Sequence, residues 1–156
     1  MKILVIDAQG GGIGRQLITA LKHRFPEHIV LAVGTNSLAT SAMLRAGADQ
    51  AATGENSVVV ACSMADLIIG PVGIVIADAM LGEITPKMAA AVGQSHARKI
   101  LIPFKNDSHL IVGVPDFNVG RLVSSCLIHQ LMFCCGKNHD TQLVFEEDGI
   151  IRTNIY

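Results

Sequence analysis

The stretch MKILVIDAQGGGIGRQL, Met1 to Leu17, decides the fold. Ile3-Leu4-Val5-Ile6 is a continuous apolar run, the pattern of a strand covered on both faces. Gly10, Gly11, Gly12 and Gly14 follow, and Ile13, Leu17, Ile18 and Leu21 then recur at helical spacing. A strand, a glycine turn and a helix in this order open a βαβ unit. The glycines raise one question. They either cradle a phosphate at the helix start or let that helix lie close to its neighbours.

The rest of the chain keeps the alternation. Phe25-Pro26 ends the first helix, and Ile29 to Val33 is a second strand closed by Gly34. Ser37 to Ala46 reads as a helix stopped at Gly47, with a short strand within Ala48 to Thr53. Glu55 to Ala65 reads as a helix, although Val58-Val59-Val60 favours strand, and Leu67-Ile68-Ile69 is the fourth strand. Val72 to Met80 is expected as a buried helix broken at Gly82. Thr85-Pro86 supplies an N-cap and a proline at the first helical position, opening a helix to about Val92. Lys99 to Phe104 and Leu110 to Val114 are the fifth and sixth strands. Phe117 to Cys135 is a last helix, apolar on more than one face through Leu122, Val123, Leu127, Ile128, Leu131, Met132 and Phe133. Thr141 to Phe145 and Ile150 to Tyr156 flank Glu146-Glu147-Asp148-Gly149 as a hairpin. The pattern predicts a three-layer α/β domain over 1–140, with a mostly parallel sheet of five to six strands, and a tail over 141–156.

Composition narrows the function classes. Half of the 156 residues are apolar and 16% are charged, enough for a sizeable core and too apolar for disorder. The net charge is −1 and there is no Lys/Arg block, so no nucleic-acid partner is expected. The most apolar segment, Leu67 to Leu81, contains Gly70, Pro71, Gly73 and Asp78 and is shorter than the ~20 residues of a membrane span. Met1-Lys2-Ile3 runs directly into the first strand, with no room for a signal peptide. Cys62, Cys126, Cys134 and Cys135 show no CxxC spacing, so a reduced, cytoplasmic protein is expected. His129, Cys134, Cys135 and His139 lack zinc-finger spacing, and no metal site is assigned.

Three phosphate-binding templates can be laid on the loop. A strict GxGxxG from Gly10 and Gly12 meets Arg15 where its third glycine belongs. The short-chain dehydrogenase pattern resembles the loop more closely through Gly12-Ile13-Gly14, but its first glycine falls on Ala8. That family's Tyr-xxx-Lys pair is absent, since the only tyrosine is Tyr156. A deviant P-loop overlays Gly10 to Gln16 but loses both lysines and the threonine, which argues against nucleotide hydrolysis. A dinucleotide site also wants an acidic residue closing the second strand. Here Val33 is followed by Gly34-Thr35-Asn36-Ser37, with no carboxylate. Asp7 stands at the mouth of the loop, placed to repel a pyrophosphate, to hold a metal ion or to cap local N–H groups.

Longer motifs carry a wider resemblance. IDAQGGGIGRQL, GTNSLATSAMLRAGA, ATGEN, IIGPVGIVIADAMLGEITPKM and KILIPF resemble an uncharacterised, clostridial-type bacterial family, a domain of unknown function. The likeness spans about Met1 to Phe104. It implies a Rossmann-like fold and brings no established activity.

The expected site is therefore a crevice beyond the strand ends. It is formed by Gly10, Gly11, Gly12, Ile13, Gly14, Arg15, Thr35, Asn36, Gly70 and Gly73, and takes NAD(P), another nucleotide or another phosphorylated small molecule. Asp7, Glu83 and His109 are its candidate acid/base groups. Lys87 is a candidate anion contact, although a plain surface role suits Glu83 and Lys87 better. The competing expectation is a non-catalytic oligomeric sensor or binding module. The multi-faced last helix predicts a homodimer or higher homo-oligomer.

Overall fold

The computed structural model describes residues 1–103, 111–112, 118–134, 143–145 and 151–153, with side chains through residue 127. Five parallel strands form one sheet: β1 (Lys2–Asp7), β2 (Ile29–Gly34), β3 (Gln50–Thr53), β4 (Leu67–Pro71) and β5 (Arg98–Ile102). Their order across the sheet is β3-β2-β1-β4-β5, with every neighbouring pair parallel. Helices α1 (Gly12–Arg24), α2 (Ser37–Arg45), α3 (Glu55–Met64), α4 (Pro86–Gln94) and α5 (Val119–Cys134) complete the three layers.

The apolar run of β1 is buried on both faces because its residues divide between two cores. Ile3 and Val5 join Leu17, Ile18 and Leu21 of α1, Met43 of α2, and Val123 and Leu127 of α5. Leu4 and Ile6 join Val58 of α3 and Met88 and Val92 of α4. Each of these large side chains contributes about 1.5–3 kcal/mol by leaving water. The three-layer α/β architecture expected from the alternation is thus the one formed. The stretch with the Val58-Val59-Val60 run is helical, as α3.

One expected element is different. Val72 to Met80 is no buried helix. It is a single 3-10 turn, Val72–Val75, followed by an extended Ile76 and a series of tight turns. β-branched Val72, Ile74, Val75 and Ile76, with Gly73 among them, are poor helix formers. Asp78, Met80 and Leu81 adopt left-handed backbone at φ 61°, 55° and 61°, conformations a right-handed helix excludes. Buried Ile74 and Ile84 anchor this segment at its two ends, while Leu81 is 96% exposed.

Of the expected sixth strand, Leu110 to Val114, only Ile111 and Val112 are described, and neither is in a strand. Lys105 to His109 lie outside the described residues, as do Cys135 and His139 and the side chains of His129 and Cys134. In the tail, β6 (Leu143–Phe145) pairs antiparallel with β7 (Ile151–Thr153). No helix among the described residues is long and apolar enough to cross a membrane.

Candidate functional site

β1 stands at the switch in strand order. The chain leaves β1 toward α1 on one face of the sheet, and β4 leads to α4 on the other, the switch point at whose carboxyl ends open α/β sheets bind ligands.

The glycines around this switch point do two kinds of work. Gly11, the N-cap of α1, has φ 68°, and a Cβ built on it would meet Ala39 Cα at 2.8 Å. A Cβ on Gly14 would meet Met43 Sδ at 2.5 Å and Asp7 Cβ at 2.9 Å. These two let α1 lie against α2 and the end of β1. Gly10 and Gly12 are exposed, and a Cβ on either would meet nothing within 4 Å. Packing therefore does not require glycine at either place. Gly70 lies buried in β4, where a Cβ would strike the Ile6 carbonyl oxygen at 2.5 Å. Gly73 lies in the 3-10 turn beneath Met80.

Asp7 closes β1 and is 4% exposed. Its Oδ1 accepts the Ala8 N–H at 2.9 Å and its Oδ2 accepts the Gly14 N–H at 2.6 Å. It thus caps the first turn of α1 from below, a task the Gly11 N-cap cannot perform with a side chain. Burial pushes its carboxyl above the ordinary range, against the pull of the backbone N–H groups, and the Glu83 carboxylate adds to the rise. Among the described residues no three potential metal ligands cluster. Of the three readings of Asp7, capping is the one its hydrogen bonds display.

Glu83 draws the loops together. Its Oε2 accepts the Gln9 N–H at 2.9 Å, the Thr35 hydroxyl, and the Asn36 Nδ2 at 2.9 Å. Asn36 works in two directions, because its Oδ1 accepts the Ala39 N–H at 2.9 Å and caps α2. Its Nδ2 also donates to the Gln9 carbonyl at 3.0 Å. The Thr35 hydroxyl, followed by the other two donors, holds the Glu83 carboxyl below its usual range. Beside this cluster the Thr85 hydroxyl donates to Glu55 Oε2 at 2.7 Å and accepts the Met88 N–H at 3.2 Å, capping α4. Lys87 pairs with Glu55 at 3.4 Å on the surface.

Gly10, Gly12, Ile13 and Arg15 therefore gather at the start of α1, with Thr35 and Asn36 beside them. Thr35 and Asn36 have their side-chain donors engaged by Glu83. Gly11, Gly14 and Gly70 serve packing. The bridging role of Glu83 across β1 and β2 had no local signal in the sequence, since Glu83 follows Thr35 by 48 residues. The same is true of Gln9, a non-glycine residue with φ 51°.

Strand order, layers and the switch point at β1 define a Rossmann-like α/β protein. The chain belongs to the family described as a domain of unknown function (DUF3842), whose model matches residues 2–133. No curated protein matches it. Among solved structures it is similar to a dodecameric FMN-dependent UbiX-like decarboxylase from Escherichia coli O157:H7. The identity is 18% and the TM-score 0.45, over 82% of this chain and 75% of that one. A likeness of that degree carries nothing about ligand or chemistry.

Proposed function

We propose that this protein binds a nucleotide, NAD(P) among the candidates, or another phosphorylated small molecule in the crevice at the carboxyl ends of β1, β2 and β4. The observation that carries the reading is the open backbone of Gly10 and Gly12, two glycines that packing does not require, at the switch point of the sheet. A phosphate needs close approach to backbone N–H groups, and a side chain there would block it. Exposed Arg15 on the first turn of α1 supplies a nearby cation. Asp7 already takes the Gly14 N–H, so the phosphate would lie over Gly10 to Gly12 and not on the helix axis.

The same network favours binding without proton transfer at Asp7. Both oxygens of Asp7 and Oε2 of Glu83 are engaged by fixed donors, an arrangement that orders the loops and holds Asp7 as a cap. The working form we propose is cytoplasmic and homo-oligomeric, with α5 as the contact.

Native mass spectrometry of the purified chain, followed by a thermal-shift panel of mono- and dinucleotides and sugar phosphates, tests the ligand. A retained phosphorylated compound or a saturable shift supports the site. A chain that carries no ligand and answers to nothing in the panel overturns it.

A further inference from the structure

A dinucleotide fold reads ribose with a carboxylate at the tip of the second strand. In this chain no acidic residue follows β2, where Gly34-Thr35-Asn36-Ser37 stand. The fold nevertheless brings a carboxylate to that place. Glu83 lies against the side chains of Thr35 and Asn36 at the tip of β2 and against the Gln9 N–H at the head of the glycine loop. Thr35 is itself fixed, since its N–H donates to the Asp7 carbonyl at 3.1 Å.

We infer that Glu83 is the hydroxyl-recognising residue of the crevice, accepting hydrogen bonds from the vicinal diol of a ribose. This rests on the nucleotide reading above and adds the part of the nucleotide that Glu83 selects.

Three features carry it. All the hydrogen bonds that Glu83 receives fall on Oε2, leaving Oε1 with no partner among the described residues. A carboxylate has about four acceptor positions and donates nothing when ionised, so the unused oxygen suits hydroxyl donors. The group is also half-buried and held, not free to swing. Buried Ile84 anchors it from the next position, and the Asp78 N–H closes the preceding turns onto the Ile84 carbonyl at 2.8 Å. Finally, the ionised Glu83 carboxylate at this corner repels a phosphate and favours a neutral, hydroxyl-bearing portion of the ligand. The phosphate is left to the open glycines and Arg15.

The test is isothermal titration of the full chain with the four ribonucleoside 5′-monophosphates and their 2′-deoxy counterparts. The wild-type chain is expected to bind the preferred ribonucleotide about ten- to a hundredfold more tightly than its 2′-deoxy form, the size of one hydrogen bond to a charged acceptor. Glu83→Gln, which keeps an oxygen for the loop donors but turns an amide toward the ligand, is expected to reduce that ratio to near unity. A merely structural Glu83 would lower both affinities together and leave the ratio unchanged, which overturns the inference. If Glu83→Gln fails to fold, the wild-type ratio decides alone. Equal binding of ribo and deoxy forms overturns the inference and leaves the nucleotide reading standing. No binding of any monophosphate also overturns it, and the thermal-shift panel then separately decides the phosphorylated-ligand reading.

Discussion

Gly11 lies against Ala39 so closely that a Cβ on the glycine would stand 2.8 Å from the Ala39 Cα and 2.9 Å from its carbonyl oxygen. Three positions along, at Gly14, the obstacle is Met43, and at Gly10 and Gly12 there is none. The loop thus separates into residues that hold α1 in place and residues that leave backbone bare.

Substitution should divide along that line. Gly12→Val is expected to leave the melting temperature within a few degrees of wild type while abolishing the thermal shift given by the ligand. Gly14→Ala is expected to destabilise by about 1–3 kcal/mol, the usual penalty of overpacking a filled site. Chemical denaturation of the two variants, with and without ligand, checks both. Full ligand response in Gly12→Val would remove the loop from the binding site.

Asp7 gives a pH signature. Its carboxyl is raised in the folded state, so the folded protein holds that proton more tightly than the unfolded chain does. The resulting stability is fully present below the unfolded value of about 3.9 and is lost as pH rises through the folded value. Wild type measured against Asp7→Asn should therefore be relatively most stable in acid, its advantage shrinking as pH rises. Asp7→Ala removes both acceptors and should cost about 1–3 kcal/mol near neutrality, by stranding the Gly14 and Ala8 N–H groups. Urea titrations between pH 3 and 7 measure each difference. A gap between wild type and Asp7→Asn that widens with pH contradicts the assignment.

At the amino end of the sheet, just before β3, Asp49 behaves in the reverse sense. The Val30 N–H, donating to its Oδ2 at 2.7 Å, holds its carboxyl below the ordinary range, with Lys22 at 3.0 Å as the lesser helper. The stability it contributes is present above about 3.9 and disappears as pH falls through the lower folded value. Lys22→Met should cost no more than about 1 kcal/mol, because the ion pair is solvated. Asp49→Ala should cost about 0.5–1.5 kcal/mol and flatten the acid limb of the stability curve. A Lys22→Met loss larger than that of Asp49→Ala would refute the priority given to the backbone bond.

How much of this could be read from the sequence follows from the range of each interaction. The βαβ opening, the Thr85 cap and the mostly parallel sheet were legible because periodicity, caps and glycine stops act over a few residues. The helix expected over Val72 to Met80 failed because an apolar run says only that a segment is buried. Glu83 was legible as a polar residue near the site but not as the bridge between Gln9 and Thr35. That role arises only when β4 has been laid beside β1.

The oligomer prediction rests on α5. Val123, Cys126 and Leu127 are buried within this chain's own core, and burial lifts the Cys126 thiol to about 12. The apolar residues beyond them, Ile128, Leu131, Met132 and Phe133, extend the helix past what that stripe requires. Light scattering of the full chain and of a chain ending at Asp140 is expected to give the same dimer or larger assembly for both. A monodisperse monomer at micromolar concentration refutes it, and a monomer only after truncation would move the contact to the tail.

The central position of β1 also sets an order in time. Ile3 is bonded in register to Val30 on one side and to Leu67 on the other, so the first strand to be synthesised is completed only when the fourth arrives. The pairing with β2 closes early, along with the first contacts to α1. Leu4 and Ile6 face the other way and wait for Val58, Met88 and Val92. During synthesis neither face of β1 is therefore finished early: Leu4 and Ile6 wait for α4, and Ile3 and Val5 wait for Val123 and Leu127 of α5. Late pairings between distant segments are the slow, aggregation-exposed steps of folding. For this chain that hazard falls on both sides of one central strand, and the side facing α5 is covered last.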